Sequence, residues 1–308
     1  MLVKVNDMWP RSVEIAHSLY TEGLIELEEK RARPWGGAVL GKFVNENKRA
    51  ITTGGVEEIL TAIASFDDLC GRHGEDWRAR SLKKLQAIFD YGKFVRASGG
   101  AWGAYELCSR AKYGVCPYCQ QSLSLTVVRD NNLKCFRPTL DHYFSKSDYP
   151  FLALSLNNLV PSCYACNSSL KGSANFYRNR HKHPYHDEEW LTFSMDMDAY
   201  FRGRSEGSGV WKISISYDGR DKCQVNTMKT FAIKERYAKL EWMFERFAER
   251  ACDYYLNGGG RYRELFNNTD YDAVAVVRLD FDEANYKGEL LGKMKRDVCM
   301  KIRASIGV

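Results

Sequence analysis

Apolar residues recur at helical spacing through residues 1–110. Pro10 opens a segment in which Ile15, Leu19, Leu24 and Leu27 fall on one side of a helix. The same spacing marks two further segments, 56–69 and 77–95. Residues 31–37 and 98–100 contain glycine and predict interruptions between the helices. The first third of the chain is therefore predicted to be mainly helical.

The central part of the chain, residues 111–190, has a mixed pattern. Residues 123–128 and 133–142 have strand-like composition, and Asn131-Asn132 is a suitable turn between them. A short helix is predicted after Cys163, and Gly172 limits its length. We expect two strands and one short helix in this region.

Residues 191–308 begin with alternating apolar and polar positions. Two alternating runs, 191–197 and 211–217, predict a hairpin across a loop at 203–209. A strong helix is predicted over 226–257, ended by three glycines, and a last helix over about 282–305. The apolar side of the helix predicted over 226–257 includes an aromatic run that we interpret as core: Tyr237, Trp242, Phe244 and Phe247. The whole pattern predicts an α+β fold, with a mixed centre between two largely helical flanks.

Composition indicates the size of the core and the cellular location but does not indicate a function. The chain has 308 residues, 44% hydrophobic and 27% charged, which suffices for a large core and two or three modules. Residues 1–11 lack a basic segment followed by an apolar run, and no stretch reaches the ~20 apolar residues of a membrane span. We therefore expect a cytoplasmic, reducing location and no membrane partner.

Charge is modest overall but unevenly distributed. The formal net charge is +6, which suits a nucleic-acid partner without requiring one. Residues 149–186 contain no Asp or Glu. The cations of this segment predict contacts with a nucleic-acid backbone: Lys171, Arg178, Arg180 and Lys182. Phe176 and Tyr177 add candidates for base stacking, although an ordinary linker explains the same residues equally well.

Four of the ten cysteines occur in two Cys-x-x-Cys pairs, Cys116 with Cys119 and Cys163 with Cys166. Each pair offers two thiolates from one tight turn, and four thiolates bind Zn²⁺ tetrahedrally. In a reducing setting such pairs indicate metal rather than disulfides. We expect a structural zinc site; the alternative is a set of reduced thiols in a core. Cys135, which has no paired cysteine, is interpreted as a buried apolar residue.

Between the cysteine pairs lie residues suited to hydrolysing a phosphodiester bond. His142 can accept a proton from water near neutral pH. Asp141, Asn158 and Asn167 offer hard oxygen atoms of the kind that Mg²⁺ and Mn²⁺ prefer. Asn157 is the chief rival to Asn158, since only register separates the two.

These residues resemble the HNH endonucleases, whose active site is a metal-binding finger of two strands and one helix (ββα-metal). The resemblance covers about 60 residues, from Cys116 to Gly172. It implies that His142 is the general base and that Asp141 and Asn167 hold a catalytic Mg²⁺ or Mn²⁺. It also implies that Asn158 braces the loop positioning His142, with zinc on the four cysteines.

The sequence departs from that family at several positions. Asn167 stands where many members have histidine, and Lys171 stands where some have a further histidine ligand; we assign Lys171 to phosphate contact. Many relatives have proline before the lysine that corresponds to Lys146, which we also assign to nucleic-acid binding. His181, His183 and His186 are interpreted as a solvated basic loop, with a second metal site as the alternative.

A longer run, residues 141–150, together with His183-Pro184-Tyr185, resembles the HNH proteins of bacterial anti-phage and retron-linked systems, including Septu-type systems. This second resemblance implies a partner ATPase.

The leading hypothesis is a metal-dependent endonuclease acting on double-stranded DNA. The alternatives are a zinc-stabilised nucleic-acid-binding adaptor without catalysis, and a nuclease subunit that is latent until it binds its partner.

Overall fold

The computed structural model describes residues 2–97, 100–128, 134–206, 213–258 and 271–306. The fold is α+β, with many helices and small two-stranded sheets. The described residues fall into two compact units. The first unit contains residues 5–114 and 124–187; the second contains residues 2–4, 115–123 and those beyond 187. Most of the central region is thus grouped with the N-terminal helices, a division that differs from the three predicted regions 1–110, 111–190 and 191–308.

The N-terminal part of the first unit is helical, as its periodicity predicts. Its helices are α1 (Arg11–Glu29), α2 (Ala38–Glu46), α3 (Lys48–Thr52), α4 (Val56–His73), α5 (Glu75–Ile88), α6 (Tyr91–Arg96) and α7 (Ala104–Ser109). The single helix predicted over 77–95 is wrong, because the chain breaks between α5 and α6. Asp90 begins α6 by accepting a hydrogen bond from the backbone N–H of Lys93.

The four strands of the first unit form two antiparallel pairs. They are β1 (Val127–Val128), β2 (Lys134–Phe136), β3 (Thr139–His142) and β4 (Leu159–Ser162). β1 pairs with β2, and β3 pairs with β4 so that Asp141 lies opposite Val160 and His142 opposite Leu159. The strand predicted over 133–142 is therefore two strands with different partners, separated at Arg137-Pro138, because proline lacks the N–H that a ladder needs. The predicted turn at Asn131-Asn132 lies outside the described residues.

A short π-type helix, Ala165–Lys171, follows β4 and packs against β3. Gly172 ends it with φ at +51°, a left-handed conformation that glycine adopts without strain. The segment between β3 and β4 contains two 3₁₀ turns, Pro150–Leu152 and Leu156–Asn158. The short helix predicted after Cys163 is present and ends before Gly172. The strands predicted over 123–128 and 133–142 correspond to β1, β2 and β3, whereas the sequence did not predict β4.

Three phenylalanines fix this segment to the N-terminal helices. Phe43 of α2, Phe66 of α4 and Phe151 have ring centroids 5.0 to 5.3 Å apart, and each is almost completely buried. Backbone contacts add to the packing: the Ser155 hydroxyl donates to the carbonyl of Ala50 at 2.6 Å. Aromatic clusters of this kind supply large apolar burial and a defined geometry. The N-terminal helices thereby hold the segment that follows β3.

The second unit combines a small hairpin with helices. Its elements are β5 (Thr192–Ser194), α8 (Met197–Glu206), β6 (Ser214–Ser216), α9 (Lys222–Thr230), α10 (Ile233–Ala238), α11 (Glu241–Cys252), α12 (Tyr271–Leu279) and α13 (Gly292–Ile306), with short helical segments Asp253–Gly258 and Glu283–Gly288. β5 and β6 pair antiparallel, as the alternation predicts, with Phe193 opposite Ile215. Met197 was predicted in a strand but begins α8. Part of the predicted loop at 203–209 lies outside the described residues.

The long helix predicted over 226–257 is wrong, because it is divided into shorter ones. Ala232 has φ at +46°, so the chain turns sharply between α9 and α10. The turn lets Phe231 stack on Tyr118 with ring centroids 4.6 Å apart. The last predicted helix likewise begins late, after Leu291 with φ at +57°. Periodicity identified the buried faces, but tertiary packing decided where the helices end.

Two predictions about single side chains are wrong. Cys135 is exposed rather than buried. Trp242, assigned to the core with its aromatic neighbours, is 55% exposed, whereas Tyr237, Phe244 and Phe247 are buried. Trp242 lies in the first turn of α11, on the side opposite the apolar face, because residues two and five positions apart point away from one another on a helix.

Acid should weaken the first unit through His17. The His17 ring is completely buried; its Nε2 donates to the carbonyl of Leu154 at 2.7 Å, and its Nδ1 accepts from the Trp102 indole N–H at 3.1 Å. Burial lowers the pKa of His17 to about 4. The stability due to the neutral ring is therefore complete above about pH 6.5 and is lost as the pH falls towards 4. Between pH 7 and pH 5, protonation of His17 in the unfolded chain should lower the free energy of unfolding by about 2 kcal/mol.

Urea unfolding of the His17→Gln variant at pH 7 and pH 5 measures this contribution of His17 to the free energy of unfolding. The variant should lose less unfolding free energy between pH 7 and pH 5 than the unaltered chain. The exposed His73 offers a matched control as His73→Gln, which should behave as the unaltered chain does. An equal pH dependence in His17→Gln and the unaltered chain would contradict the assignment.

Candidate metal centre and histidine site

Four cysteines meet at one point. The Sγ atoms of Cys116, Cys119, Cys163 and Cys166 all lie within 4.8 Å of one another. Backbone N–H groups point at two of the sulfurs: Gln121 donates to Cys119 Sγ and Cys166 donates to Cys163 Sγ, both at 3.4 Å. Such bonds favour the thiolate form that a metal requires. The donor set therefore fits a metal such as zinc, as the spacing predicts.

Hydrogen bonds hold the turn that carries Cys116 and Cys119. The Tyr237 hydroxyl donates to the carbonyl of Cys119 at 2.8 Å. Gln120 has φ at +50°, and its side chain accepts from the backbone N–H of Lys293 at 2.7 Å and donates to the carbonyl of Tyr286 at 3.0 Å. α13 thus fixes the tight turn that directs both sulfurs to the same side.

His142 ends β3 and is almost completely buried. Its Nε2 lies 3.0 Å from the carbonyl oxygen of Ala153. A carbonyl can only accept, so Nε2 carries the proton and Nδ1 retains its lone pair. Burial, assisted by the positive charge of Lys146, lowers the pKa of His142 to about 3. The ring is neutral near pH 7, with one nitrogen able to accept a proton.

Asn158 connects the loop after β3 to the segment that holds His142. Its Oδ1 accepts from the backbone N–H of Phe144 at 2.7 Å, and its Nδ2 donates to the carbonyls of Phe144 and Leu152, both at 3.0 Å. The carbonyl that binds His142 belongs to the next residue, Ala153. The Asn158 side chain therefore links Phe144, in the loop after β3, to Leu152, next to the residue that binds His142. Asn157, its rival, donates elsewhere, to the carbonyls of Thr53 and Gly54.

Asp141 is joined to Lys171 in a buried ion pair. The Lys171 Nζ lies 2.6 Å from Asp141 Oδ1 and 2.5 Å from the carbonyl oxygen of His142. Both side chains are 3% exposed. Lys171 was assigned to phosphate contact from the sequence; in this arrangement its ammonium group contacts Asp141 and is covered by protein.

The other predicted residues differ in exposure. Asn167 is half-buried on the helix that also carries Lys171. Lys146 is exposed, with Nζ 4.8 Å from the centre of the Tyr91 ring. Arg178 and Arg180 are exposed, and Lys182 is half-buried. The structure therefore groups Asp141, His142, Lys146 and Lys171 near one another, while the arginines follow in a separate turn.

The interpretation of the histidines after residue 180 as a solvated loop is wrong for two of the three. His181 is buried and stacks on Phe176 with ring centroids 3.7 Å apart. His183 is buried too; its Nδ1 accepts from the backbone N–H of Tyr185 at 3.1 Å. Burial lowers the pKa of both rings. Only His186 is exposed, so the segment is a packed part of the first unit.

Two residues near His142 were missed from the sequence. The ring of Tyr91, at the start of α6, meets the His142 ring edge-on with centroids 4.5 Å apart. Arg137 carries a positive charge close enough to the Tyr91 side chain to lower the pKa of its hydroxyl against the larger effect of burial. Neither lies within a motif, and the contact joins positions about 50 residues apart, so local spacing carries no signal for them.

No family model, curated protein or solved structure matches this chain. Across the described ranges, no helix combines the length and apolar character needed to cross a lipid bilayer.

Zinc analysis tests the cysteine cluster. The purified chain should contain about one zinc per molecule, and Cys166→Ser should lose it and unfold at lower temperature, because a structural zinc site contributes about 10–16 kcal/mol of apparent binding energy. Cys135→Ser, an exposed cysteine outside the cluster, is the matched control and should keep its zinc. A folded, zinc-free chain whose melting is insensitive to chelator would refute the site.

Two neighbouring asparagines test the brace. Asn158→Asp places oxygen atoms against the carbonyls of Phe144 and Leu152 in a completely buried position, which should cost about 2–4 kcal/mol of unfolding free energy. Asn157→Asp makes the same change at a partly buried position and should cost less. Denaturant unfolding of the two variants makes the comparison, and equal losses would argue against a special role for Asn158.

Proposed function

We propose that the chain is a metal-dependent endonuclease of the HNH type that hydrolyses phosphodiester bonds in double-stranded DNA. The observation that carries the proposal is the fixed, neutral imidazole of His142, which stands beside Asp141 and keeps the Nδ1 lone pair. The order of β3, β4 and the helix Ala165–Lys171 supports it, because the family finger has two strands followed by one helix. The brace at Asn158 supports it further.

In this proposal His142 removes a proton from the attacking water through Nδ1. The bond from Nε2 to the Ala153 carbonyl keeps the ring in one tautomer and one orientation during the transfer. The imidazolium that forms is stabilised at Nε2 by the same carbonyl. The edge contact with Tyr91 limits rotation of the ring. The low pKa of His142 makes it a weak base. A metal ion held by Asp141 and Asn167 would lower the pKa of the attacking water and so assist the transfer.

Asp141 and Asn167 would hold the catalytic metal ion. Carboxylate and amide oxygens are suitable donors for Mg²⁺ or Mn²⁺, which supplies charge stabilisation for the phosphate and the leaving oxygen. Asp141 Oδ1 already has a cationic partner in Lys171, which the metal ion would have to displace or share. The exposed cations Lys146, Arg178 and Arg180 would bind the phosphates of the nucleic-acid backbone.

Cleavage of supercoiled plasmid tests the proposal. Zinc-loaded protein with Mg²⁺ or Mn²⁺ should nick or linearise the DNA, and EDTA should stop the reaction. His142→Ala should lower the rate by at least about 100-fold, because it removes the general base. Gel analysis of the plasmid forms over time gives the rates.

His73→Ala serves as the matched control, because His73 is an exposed histidine on α4. It should cleave at the rate of the unaltered chain. Normal cleavage by His142→Ala would refute the assignment of the base. A folded, zinc-loaded chain that binds DNA without cutting it would contradict a free-standing nuclease and favour the adaptor or a partner-dependent subunit.

A further inference from the structure

The buried pair of Asp141 and Lys171 brings a positive charge to the proposed metal ligand. The ammonium group of Lys171 contacts two oxygens, Asp141 Oδ1 at 2.6 Å and the carbonyl oxygen of His142 at 2.5 Å. Both side chains are 3% exposed. The attraction between such charges is much less screened than at a surface. The pair is therefore a strong constraint on what else Asp141 can bind.

Two aromatic rings complete the surroundings of the ammonium group. Lys171 Nζ lies 4.7 Å from the centre of the Phe176 ring and 5.8 Å from that of Tyr143. Aromatic faces attract cations, and both rings are buried. Oxygens and ring faces together enclose the amine. It is thus arranged as an internal counter-ion and is not presented to a phosphate in solvent.

We propose that Lys171 is a positioning residue that competes with a divalent cation for Asp141, and so sets the metal concentration at which the site works. This rests on the proposed function in one respect, the assignment of Asp141 as a ligand of the catalytic metal. Two cations cannot share a buried carboxylate at contact distance without repulsion. The ion must therefore displace the amine or share the carboxylate at a cost in affinity.

The placement of Lys171 couples this competition to the second proposed ligand. Lys171 is the last residue of the helix that carries Asn167, and Gly172 follows with φ at +51°. Glycine tolerates a change of backbone conformation at this position better than any other residue.

Binding of Mn²⁺ to the full, zinc-loaded chain tests the proposal without an activity measurement. Mn²⁺ prefers oxygen donors to a thiolate cluster, and its paramagnetic resonance distinguishes free from bound ion. Lys171→Met removes the charge and keeps most of the volume, and Lys171→Gln removes the charge but keeps a donor for Asp141. Both should bind Mn²⁺ at least about tenfold more tightly than the unaltered chain, because the competing charge is gone.

Three further variants complete the design. Lys171→Arg keeps the charge and should bind Mn²⁺ as weakly as the unaltered chain. Asp141→Asn should bind Mn²⁺ no more tightly than the unaltered chain, and Asp141→Asn combined with Lys171→Gln should lose the tight site. If Lys171→Met fails to fold because it leaves Asp141 buried without a cation, Lys171→Gln decides the question.

Equal Mn²⁺ affinity in the unaltered chain and Lys171→Gln would overturn the proposal. Tight binding that survives Asp141→Asn would overturn it as well, because the ion would then lie elsewhere. Plasmid cleavage on the same samples separates this result from the fate of the nuclease. Tighter Mn²⁺ binding without any cleavage supports the competition and contradicts the nuclease, whereas cleavage with unchanged Mn²⁺ affinity does the reverse.

Discussion

The buried amide of Asn158 is the constraint on which the histidine site depends. Its three hydrogen bonds join the loop after β3 to the segment before β4, and they do so where water is excluded. A buried amide left unpaired costs more than an exposed one, so the native arrangement is strongly preferred over partly satisfied alternatives. By bonding to Leu152, Asn158 helps to place the adjacent Ala153 carbonyl, which accepts from His142 Nε2.

The N-terminal helices also hold the segment that binds His142 in place. Phe151 packs between α2 and α4, and the carbonyl of Leu154 accepts from His17 on α1. The Asp141–His142 motif is short, but its geometry is fixed by apolar burial that the motif itself does not contain. This explains in physical terms why a long helical region is grouped with the central strands in one unit. The helices are part of the support of the site as well as of the fold.

The sequence predicted what depends on local spacing. It identified the cysteine quartet and the short helix ended by Gly172. It did not reveal the edge contact of Tyr91 with His142 or the pairing of Lys171 with Asp141, because each joins residues 30 or more positions apart. Helix ends were also missed, since turns such as that at Ala232 are decided by tertiary packing. Local patterns specify elements and ligand types; partners and boundaries depend on the folded environment.

Three consecutive backbone carbonyls, those of Leu152, Ala153 and Leu154, each accept from a different side chain: Asn158, His142 and His17. The acceptors are main-chain atoms, so any apolar residues that keep this backbone path would serve equally well. A homologous chain could therefore change all three side chains and retain every one of these bonds. A comparison of sequences detects only the three donor side chains and not the three backbone carbonyls that accept from them. A search for distant relatives should therefore also compare the backbone conformation of this short segment.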